Sequence, residues 1–239
     1  VPVGVFISGG LDSSLIAAMA QETLGKPVQT FNVSFPEFPT FDESSNARRV
    51  AEFLGTDHRE IPIMAQDVSK IIPDILEHLD EPFSDPALVP TAILSKSTSS
   101  YVKVALSGDG GDELFGGYNK YIGLAWAQKL AVISPLLRAI SKIPLNNTPA
   151  TPFGKRWRHF QKLAHMSHRD TVESSTRAMS IFNQREIPNL VRKEFLGGHA
   201  LTKELIADLE QQGIHNGLKG LNVPMYSDFN FVLPYNMLR

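Results

Sequence analysis

A strand, a glycine turn and a helix follow one another within the first twenty residues, and this unit constrains the fold most strongly. The run Val3-Gly4-Val5-Phe6-Ile7 is mostly apolar and has the composition of a buried strand. Ser8-Gly9-Gly10 ends the strand, and an apolar helical pattern continues over residues 14–20. Asp12 or Ser13 is the predicted N-cap of that helix. The unit predicts the first strand and helix of an α/β domain.

The turn is predicted to bind phosphate. Adjacent glycines let backbone N–H groups approach a ligand closely, and the N-terminus of a helix favours anions. The chain lacks the lysine of the P-loop pattern and the third glycine of the Rossmann pattern. The string Ser-Gly-Gly-x-Asp-Ser instead resembles the PP-loop of the ATP pyrophosphatases, which cleave ATP between its α- and β-phosphates. A plain glycine-rich turn is the alternative, and the full string after a buried strand favours the phosphate site.

Further strand patterns alternate with helical ones. We predict strands over residues 28–35, 58–63 and 101–106, the second at a sheet edge and the last buried. Pro73 predicts a kink or a helix start. Strands separated by helices of this length predict a parallel sheet with helices on both faces, followed by an α-helical subdomain. We assign residues 1–120 to the α/β ATP-binding domain and residues 121–239 to the helical part.

A second glycine-rich stretch follows the last predicted strand, where ligands bind in parallel sheets. Ser107 to Tyr118 contains five glycines and three acids, Asp109, Asp112 and Glu113. The glycines permit close backbone approach, and carboxylates are ligands that Mg²⁺ prefers. A calcium loop of the EF-hand type is disfavoured because its spacing of acids is not met. We therefore expect the two glycine turns to face each other across a triphosphate and its metal.

Composition excludes several function classes. The 239 residues are 42% hydrophobic and 20% charged, with a net charge of -2, which is typical of a globular protein and gives no reason to expect a nucleic-acid surface. The basic cluster over residues 155–159 is interpreted as a solvated helix face. No run approaches the ~20 apolar residues of a membrane helix. The absence of cysteine excludes disulfides and is compatible with a reducing compartment, so we expect a cytoplasmic protein.

With both turns considered, the chain resembles the synthetase domain of the glutamine-dependent asparagine synthetases. The resemblance covers about half of the chain, in family order. The matching stretches are residues 8–14, 31–35, 41–44, Asp80-Glu81-Pro82-Phe83 and 106–118, while residues 228–239 look like a later family segment.

The resemblance implies site residues. Ile7 and Val33 would hold adenine through their backbones, and Ser107 and Gly108 would lie near the nucleoside and α-phosphate. Asp12 and Asp112 would approach Mg²⁺, and Asp109 and Glu113 would be the catalytic residues on the acceptor side. The pyrophosphate would lie against Ser8, Gly9, Gly10, Asp12, Ser13 and Ser14.

The resemblance also implies the reaction. An aspartate carboxylate would attack the α-phosphate of ATP, and ammonia would then displace AMP from the aspartyl-adenylate. The chain begins Val1-Pro2 directly on a strand, so we expect a fragment of a longer polypeptide. A glutaminase domain with a cysteine nucleophile would precede Val1, and the catalytic lysine would follow Arg239. This fragment alone is expected to bind ATP–Mg²⁺ weakly and not to complete the glutamine-dependent reaction.

Rival interpretations stay open. The chain could belong to a related PP-loop amidotransferase or β-lactam synthetase acting on another carboxylate. A nucleotide-binding module without turnover is a second alternative, against which the intact acids Asp12 and Asp112 argue. Small-molecule substrates are the expected partners, with no nucleic acid and no membrane, and a homodimer stays open.

Overall fold

The computed structural model describes residues 1–79, 85–142, 151–168, 171–179, 187–190, 192, 194 and 198–234. The expectations for Asp80-Glu81-Pro82-Phe83 and for residues 235–239 lie outside the described residues. The chain divides into two compact units, Val1–Gly111 and Asp112–Arg239.

The first unit contains a four-stranded parallel sheet. Its strands are β1 (Val3–Phe6), β2 (Gln29–Ser34), β3 (Asp57–Pro62) and β4 (Val104–Leu106), in the order β3-β2-β1-β4. Val5 of β1 lies beside Thr30 of β2 on one side and beside Leu106 of β4 on the other. The central position of β1 explains its apolar sequence, and the polar β3 lies at the edge, as predicted.

Helices cover both faces of this sheet, which confirms the predicted fold class. The helices are α1 (Leu11–Leu24), α2 (Ser44–Leu54), α3 (Ala65–His78) and α4 (Leu88–Thr98). Val5 and Ile7 pack with Ala17 of α1 and Ala47 of α2 on one face. Leu94 of α4 belongs to a second cluster, which includes Phe31 and Val102 and against which Phe6 packs. Successive strand residues point to opposite faces, so the apolar run of β1 supplies both cores.

The handedness of the connections explains this distribution. The chain moves from β1 to β2 to β3 in one direction across the sheet and then returns to β4 on the far side of β1. A right-handed crossover places its helix on one face of the sheet when the chain moves from β1 towards β3, which is the face of α1 and α2. The connection from β3 to β4 runs in the opposite direction, so the same handedness places its helices on the other face.

Three local predictions were wrong. The first helix begins at Leu11 with Gly10 as its N-cap, so Asp12 and Ser13 lie in the first turn instead of capping it. Helix α3 begins at Ala65 and contains Pro73, so the expected helix start at Pro73 is wrong, while the alternative of a kink there stays a prediction. The last strand comprises only Val104–Leu106, and its residues are exposed because β4 is an edge of the four described strands.

The second unit is helical in its described residues. Its helices are α5 (Gly111–Phe115, which begins on the last residue of the first unit), α6 (Asn119–Lys129), α7 (Ser134–Ser141), α8 (Pro152–Met166), α9 (Thr171–Met179), α10 (Ile187–Leu190), α11 (Gly198–His215) and α12 (Asn222–Asn230). A core cluster of Tyr121, Leu124, Ala127 and Met166 joins α6 to α8. The predicted helical subdomain is therefore confirmed in kind. No described helix is long and apolar enough to cross a membrane.

Candidate functional site at the carboxyl ends of β1 and β4

The sheet reverses its direction of growth between β1 and β4. The connection after β1 leads to one side of the sheet, and the return connection enters β4 on the other side. In open α/β sheets the crevice at such a switch point, outside the carboxyl ends of the strands, is where ligands bind. The turns that follow β1 and β4 lie at this crevice.

The first turn, Ser8 to Ser13, is stiffened by its own hydrogen bonds. The Ser8 N–H donates to Ser13 Oγ at 3.1 Å, and the two hydroxyl oxygens lie 3.0 Å apart. Gly9 has φ +79°, and a Cβ there would lie 2.6 Å from the Asn46 carbonyl carbon. Only glycine fits this position, because the backbone conformation and the neighbouring helix both exclude a side chain.

Helix α1 presents its N-terminus to the crevice. The Ser14 N–H donates to the Gly10 carbonyl, which is the first bond of the helix. The preceding N–H groups of Leu11, Asp12 and Ser13 have no partner within a helix of this geometry. These donors and the helix dipole favour an anion at this end of α1.

The second turn, Ser107 to Gly111, lies directly against the first. A Cβ on Gly108 would lie 2.8 Å from the Ser13 backbone nitrogen, and a Cβ on Gly111 would lie 2.5 Å from the Asp12 carboxyl carbon. The turn closes with a bond from the Gly111 N–H to the Gly108 carbonyl at 3.1 Å. The structure thus places the two turns side by side at the carboxyl ends of β1 and β4, and the triphosphate and metal expected between them stay a prediction.

The candidate acids of the first unit differ in exposure. Asp12 is half-buried and lies beside Gly111, whereas Asp109 is exposed. The Asp109 N–H donates to Ser107 Oγ at 3.4 Å. Asp109 can therefore contact a ligand from solvent, and Asp12 has a restricted position at the crevice.

The two residues predicted to hold adenine lie on adjacent strand ends. Ile7 is buried, and its N–H donates to the Phe31 carbonyl at 2.8 Å. The Val33 carbonyl accepts a hydrogen bond from the Asn32 side-chain amide at 2.9 Å. Because the Ile7 N–H is used by the sheet, a backbone contact of Ile7 with a ligand would have to use its carbonyl oxygen.

Asp112 and Glu113 belong to the second unit. Glu113 is 1% exposed, and its Oε1 accepts a hydrogen bond from the Tyr118 hydroxyl at 2.8 Å. Burial, and then this bond, raise the pKa of the Tyr118 phenol far above its usual value. The Tyr118 hydroxyl is the donor in this hydrogen bond.

A second phenol–carboxylate pair lies in the same unit. The Tyr121 hydroxyl donates to Asp228 Oδ2 at 2.7 Å, and Lys120 Nζ lies 2.8 Å from the same oxygen. Burial, and then the bond to Asp228, raise the pKa of Tyr121. Sequence reasoning missed both pairs, and the spacing of Tyr118 and Tyr121 at i and i+3 was the only local signal.

The described residues contain no group of three or more His, Asp or Glu side chains placed to hold a metal ion.

Lys155, Arg156 and His159 are exposed on α8, where Trp157 stacks on Phe160 with ring centroids 5.1 Å apart. This arrangement matches the interpretation of the basic cluster as a solvated helix face.

Comparisons with known proteins give a consistent result. The family model described as asparagine synthase matches residues 1–239. The chain is 43% identical over 121 residues to asparagine synthetase [glutamine-hydrolyzing] 1 of Bacillus subtilis, covering 51% of this chain and 19% of that protein. It is 35% identical over 147 residues to a putative asparagine synthetase [glutamine-hydrolyzing] 2 of Methanocaldococcus jannaschii, covering 61% of this chain and 28% of that protein. The chain thus spans less than a third of the length of these curated relatives.

Proposed function

The chain belongs to the asparagine synthase family, and from this premise we propose that it is the ATP-binding part of an amide ligase that makes asparagine. The contact between the two glycine turns carries the proposal. Gly108 lies against the Ser13 nitrogen and Gly111 against the Asp12 carboxylate, at the crevice where parallel sheets bind ligands. Turns in contact there form a surface of backbone donors suited to a polyphosphate.

The proposed reaction has two steps. A carboxylate oxygen of aspartate attacks the α-phosphorus of ATP, and the bond from the α-phosphorus to the bridging oxygen breaks. Pyrophosphate leaves with the electron pair. Ammonia then attacks the acyl carbon, the bond to the AMP oxygen breaks, and nitrogen loses a proton. Negative charge builds on the leaving group in both steps, so oriented donors that face that charge lower the barrier.

The residues of the first turn supply these donors. The N–H groups at the start of α1 and the hydroxyls of Ser8, Ser13 and Ser14 are proposed to bind the pyrophosphate, together with Gly9 and Gly10. Ser107 and Gly108 are proposed to lie near the α-phosphate. One such donor is worth about 3 kcal/mol of barrier. The internal hydrogen bonds of the turn support this role, because a stiff turn needs little reorganisation during the reaction.

Magnesium is the proposed cofactor. Mg²⁺ is held in such sites by one or two carboxylates together with substrate phosphates, so a cluster of three protein ligands is not required. Asp12 fits this chemistry as a half-buried carboxylate at the crevice, and Asp112 is proposed as the second ligand. When bound, Mg²⁺ would neutralise charge on the polyphosphate.

The acceptor side is proposed to involve Asp109 and Glu113, and adenine is proposed to lie against Ile7 and Val33. Asp109 is exposed and can reach a small substrate, whereas Glu113 is enclosed. Names of the relatives specify glutamine hydrolysis. We therefore propose that a glutaminase domain supplies ammonia in the full-length protein, and that ATP and aspartate are the other substrates.

Exchange of labelled pyrophosphate into ATP tests the proposal. The assay uses the natural full-length protein with aspartate or with other carboxylic acids. Exchange should depend on aspartate, and Asp12→Asn should reduce it about 100-fold or more, since a lost metal ligand removes several kcal/mol of stabilisation. Asp57→Asn is the matched control, because Asp57 is exposed on the edge strand.

The outcomes separate the alternatives. Exchange with another carboxylate but not with aspartate would overturn the asparagine assignment in favour of a related PP-loop ligase. ATP binding without any exchange would indicate a nucleotide-binding module.

A further inference from the structure

Tyr118 and Glu113 form a part-buried hydrogen-bonded bridge across a glycine turn. Helix α5 has five residues, which is too short to be stable without tertiary contacts. The chain reverses after it at Gly116, which has φ +72°. Tyr118 then reaches back to Glu113 with its hydroxyl 2.8 Å from Oε1. This hydrogen bond connects the short helix to the start of α6.

The same bridge lies beside Asp112. The Gly117 N–H donates to the Asp112 carbonyl at 3.0 Å. A Cβ on Gly117 would overlap Asp112 Oδ1, so the carboxylate lies against the bare backbone of Gly117. Asp112 precedes Glu113 and Gly117 precedes Tyr118 in the chain. The hydrogen bond between Glu113 and Tyr118 therefore links the segment that carries Asp112 to the segment that carries Gly117. The Asp112 carboxylate lies where these two segments meet.

Enclosure of Glu113 is informative about its role. Its side chain is 1% exposed, and within the described residues its Oε2 is buried without a hydrogen-bond partner. The hydrogen bond that Oε1 accepts from Tyr118 ties Glu113 to its neighbours in the chain, and through them it can act on a metal ion. The neighbour that carries a proposed ligand atom is Asp112.

We infer that Tyr118 and Glu113 are positioning residues that hold the Asp112 carboxylate in place for a divalent cation. The inference rests on the proposed function, because it takes Asp112 as a ligand of the nucleotide-bound metal. Residues that orient metal ligands through a hydrogen bond affect metal affinity strongly, and their loss typically weakens it by about 10- to 100-fold.

Tyr121 provides a matched control. Its hydroxyl also donates to a buried carboxylate, that of Asp228, and its ring centroid lies 6.0 Å from that of Tyr118. Both tyrosines lose one phenol–carboxylate hydrogen bond on substitution by phenylalanine. Only Tyr118 is bonded to a residue adjacent to Asp112.

The experiment measures Mn²⁺ affinity by electron paramagnetic resonance. It uses the natural full-length protein with α,β-methylene-ATP, whose α–β linkage cannot be cleaved, and thermal unfolding is recorded for each variant. Tyr118→Phe should raise the Kd for Mn²⁺ about tenfold or more. Tyr121→Phe should lower thermal stability but leave the Kd close to the wild-type value. Glu113→Gln, which keeps an oxygen acceptor for the phenol, should weaken Mn²⁺ less than Tyr118→Phe does and serves as the second variant if Tyr118→Phe does not fold.

Each result decides between the two claims. Equal Mn²⁺ affinity in the wild type, Tyr118→Phe and Glu113→Gln would overturn the inference alone, as would equal weakening by Tyr118→Phe and Tyr121→Phe. A wild-type protein that binds neither the nucleotide analogue nor Mn²⁺ would overturn the proposed function, and the inference with it.

Discussion

Gly108 shows how a single missing methyl group permits the contact between the two turns. A Cβ at this position would lie 2.8 Å from the Ser13 backbone nitrogen, and backbone cannot move away as a flexible side chain can. Gly108 does not need a positive φ, so the requirement for glycine is steric. This contact explains why a glycine occupies position 108 in the turn that follows β4.

Substitution of this glycine gives the first prediction. Gly108→Ala should weaken ATP–Mg²⁺ binding at least about tenfold, because forcing the turns apart by a few tenths of an ångström costs about 1–3 kcal/mol. Isothermal titration calorimetry measures the affinity. Gly123→Ala is the control, since its nearest neighbour is the end of the flexible Met166 side chain at 3.2 Å. Unchanged affinity in Gly108→Ala would contradict the packing argument.

His58 gives a prediction about pH. Its Nδ1 lies 3.0 Å from Thr30 Oγ1, and burial lowers the pKa of the imidazole below its usual value of 6.5. The unfolded chain therefore binds the proton more readily than the folded one, so this residue reduces stability as pH falls below about 6.5 and has no such effect above it. His58→Asn should diminish the loss of stability between pH 7.5 and pH 5.5. Urea unfolding at both pH values measures the free energy of unfolding. If this free energy fell by the same amount in His58→Asn as in the wild type, the prediction would be wrong.

Helix α1 has one face buried against the sheet and another face exposed to solvent. Ala17 is fully buried against the sheet, whereas Leu11, Leu15 and Met19 are between 54% and 84% exposed. Sequence pattern alone does not reveal this division, because the helix is apolar on both sides. The small residue Ala17 lies on the packed face because the helix runs close to β1.

Two substitutions in α1 test this division. Ala17→Leu should destabilise the protein by about 1–3 kcal/mol, because extra methyl groups do not fit a packed face. Leu15→Gln should change stability by no more than about 0.5 kcal/mol, since the side chain is exposed. Chemical unfolding of both variants provides the measurement. A larger effect at Leu15 than at Ala17 would show that the opposite face is buried.

At the scale of the whole molecule, the composition limits which reactions the chain can perform. The 239 residues contain no cysteine, so they offer no thiol nucleophile for glutamine hydrolysis. We predict that the 239-residue chain does not release ammonia from glutamine. A coupled glutamate dehydrogenase assay measures ammonia directly, and release above the level of a heat-denatured sample would disprove the prediction.

The elements could be predicted to different degrees. The second strand was predicted over residues 28–35 and is Gln29–Ser34, because its β-branched and aromatic residues are a local signal. The fourth strand was predicted as buried and is exposed, because burial of Val104 and Leu106 depends on which strands lie beside β4. Helix α12 lies in the part of the chain predicted to be helical, but its bounds were not predicted. Pro224 gives no helical signal by itself, although a proline in the first turn is compatible with a helix.

The sequence by itself determined the strand–turn–helix units, the alternation that leads to a parallel sheet and the two glycine turns, because these depend on residues close together in the chain. Only the tertiary structure decided that β4 lies beside β1, that Gly108 and Gly111 meet Ser13 and Asp12, and that Tyr121 meets Asp228 across 107 positions. Such contacts follow from strand order and helix packing. No short stretch of sequence encodes them, because each is formed by surfaces that fold from distant parts of the chain.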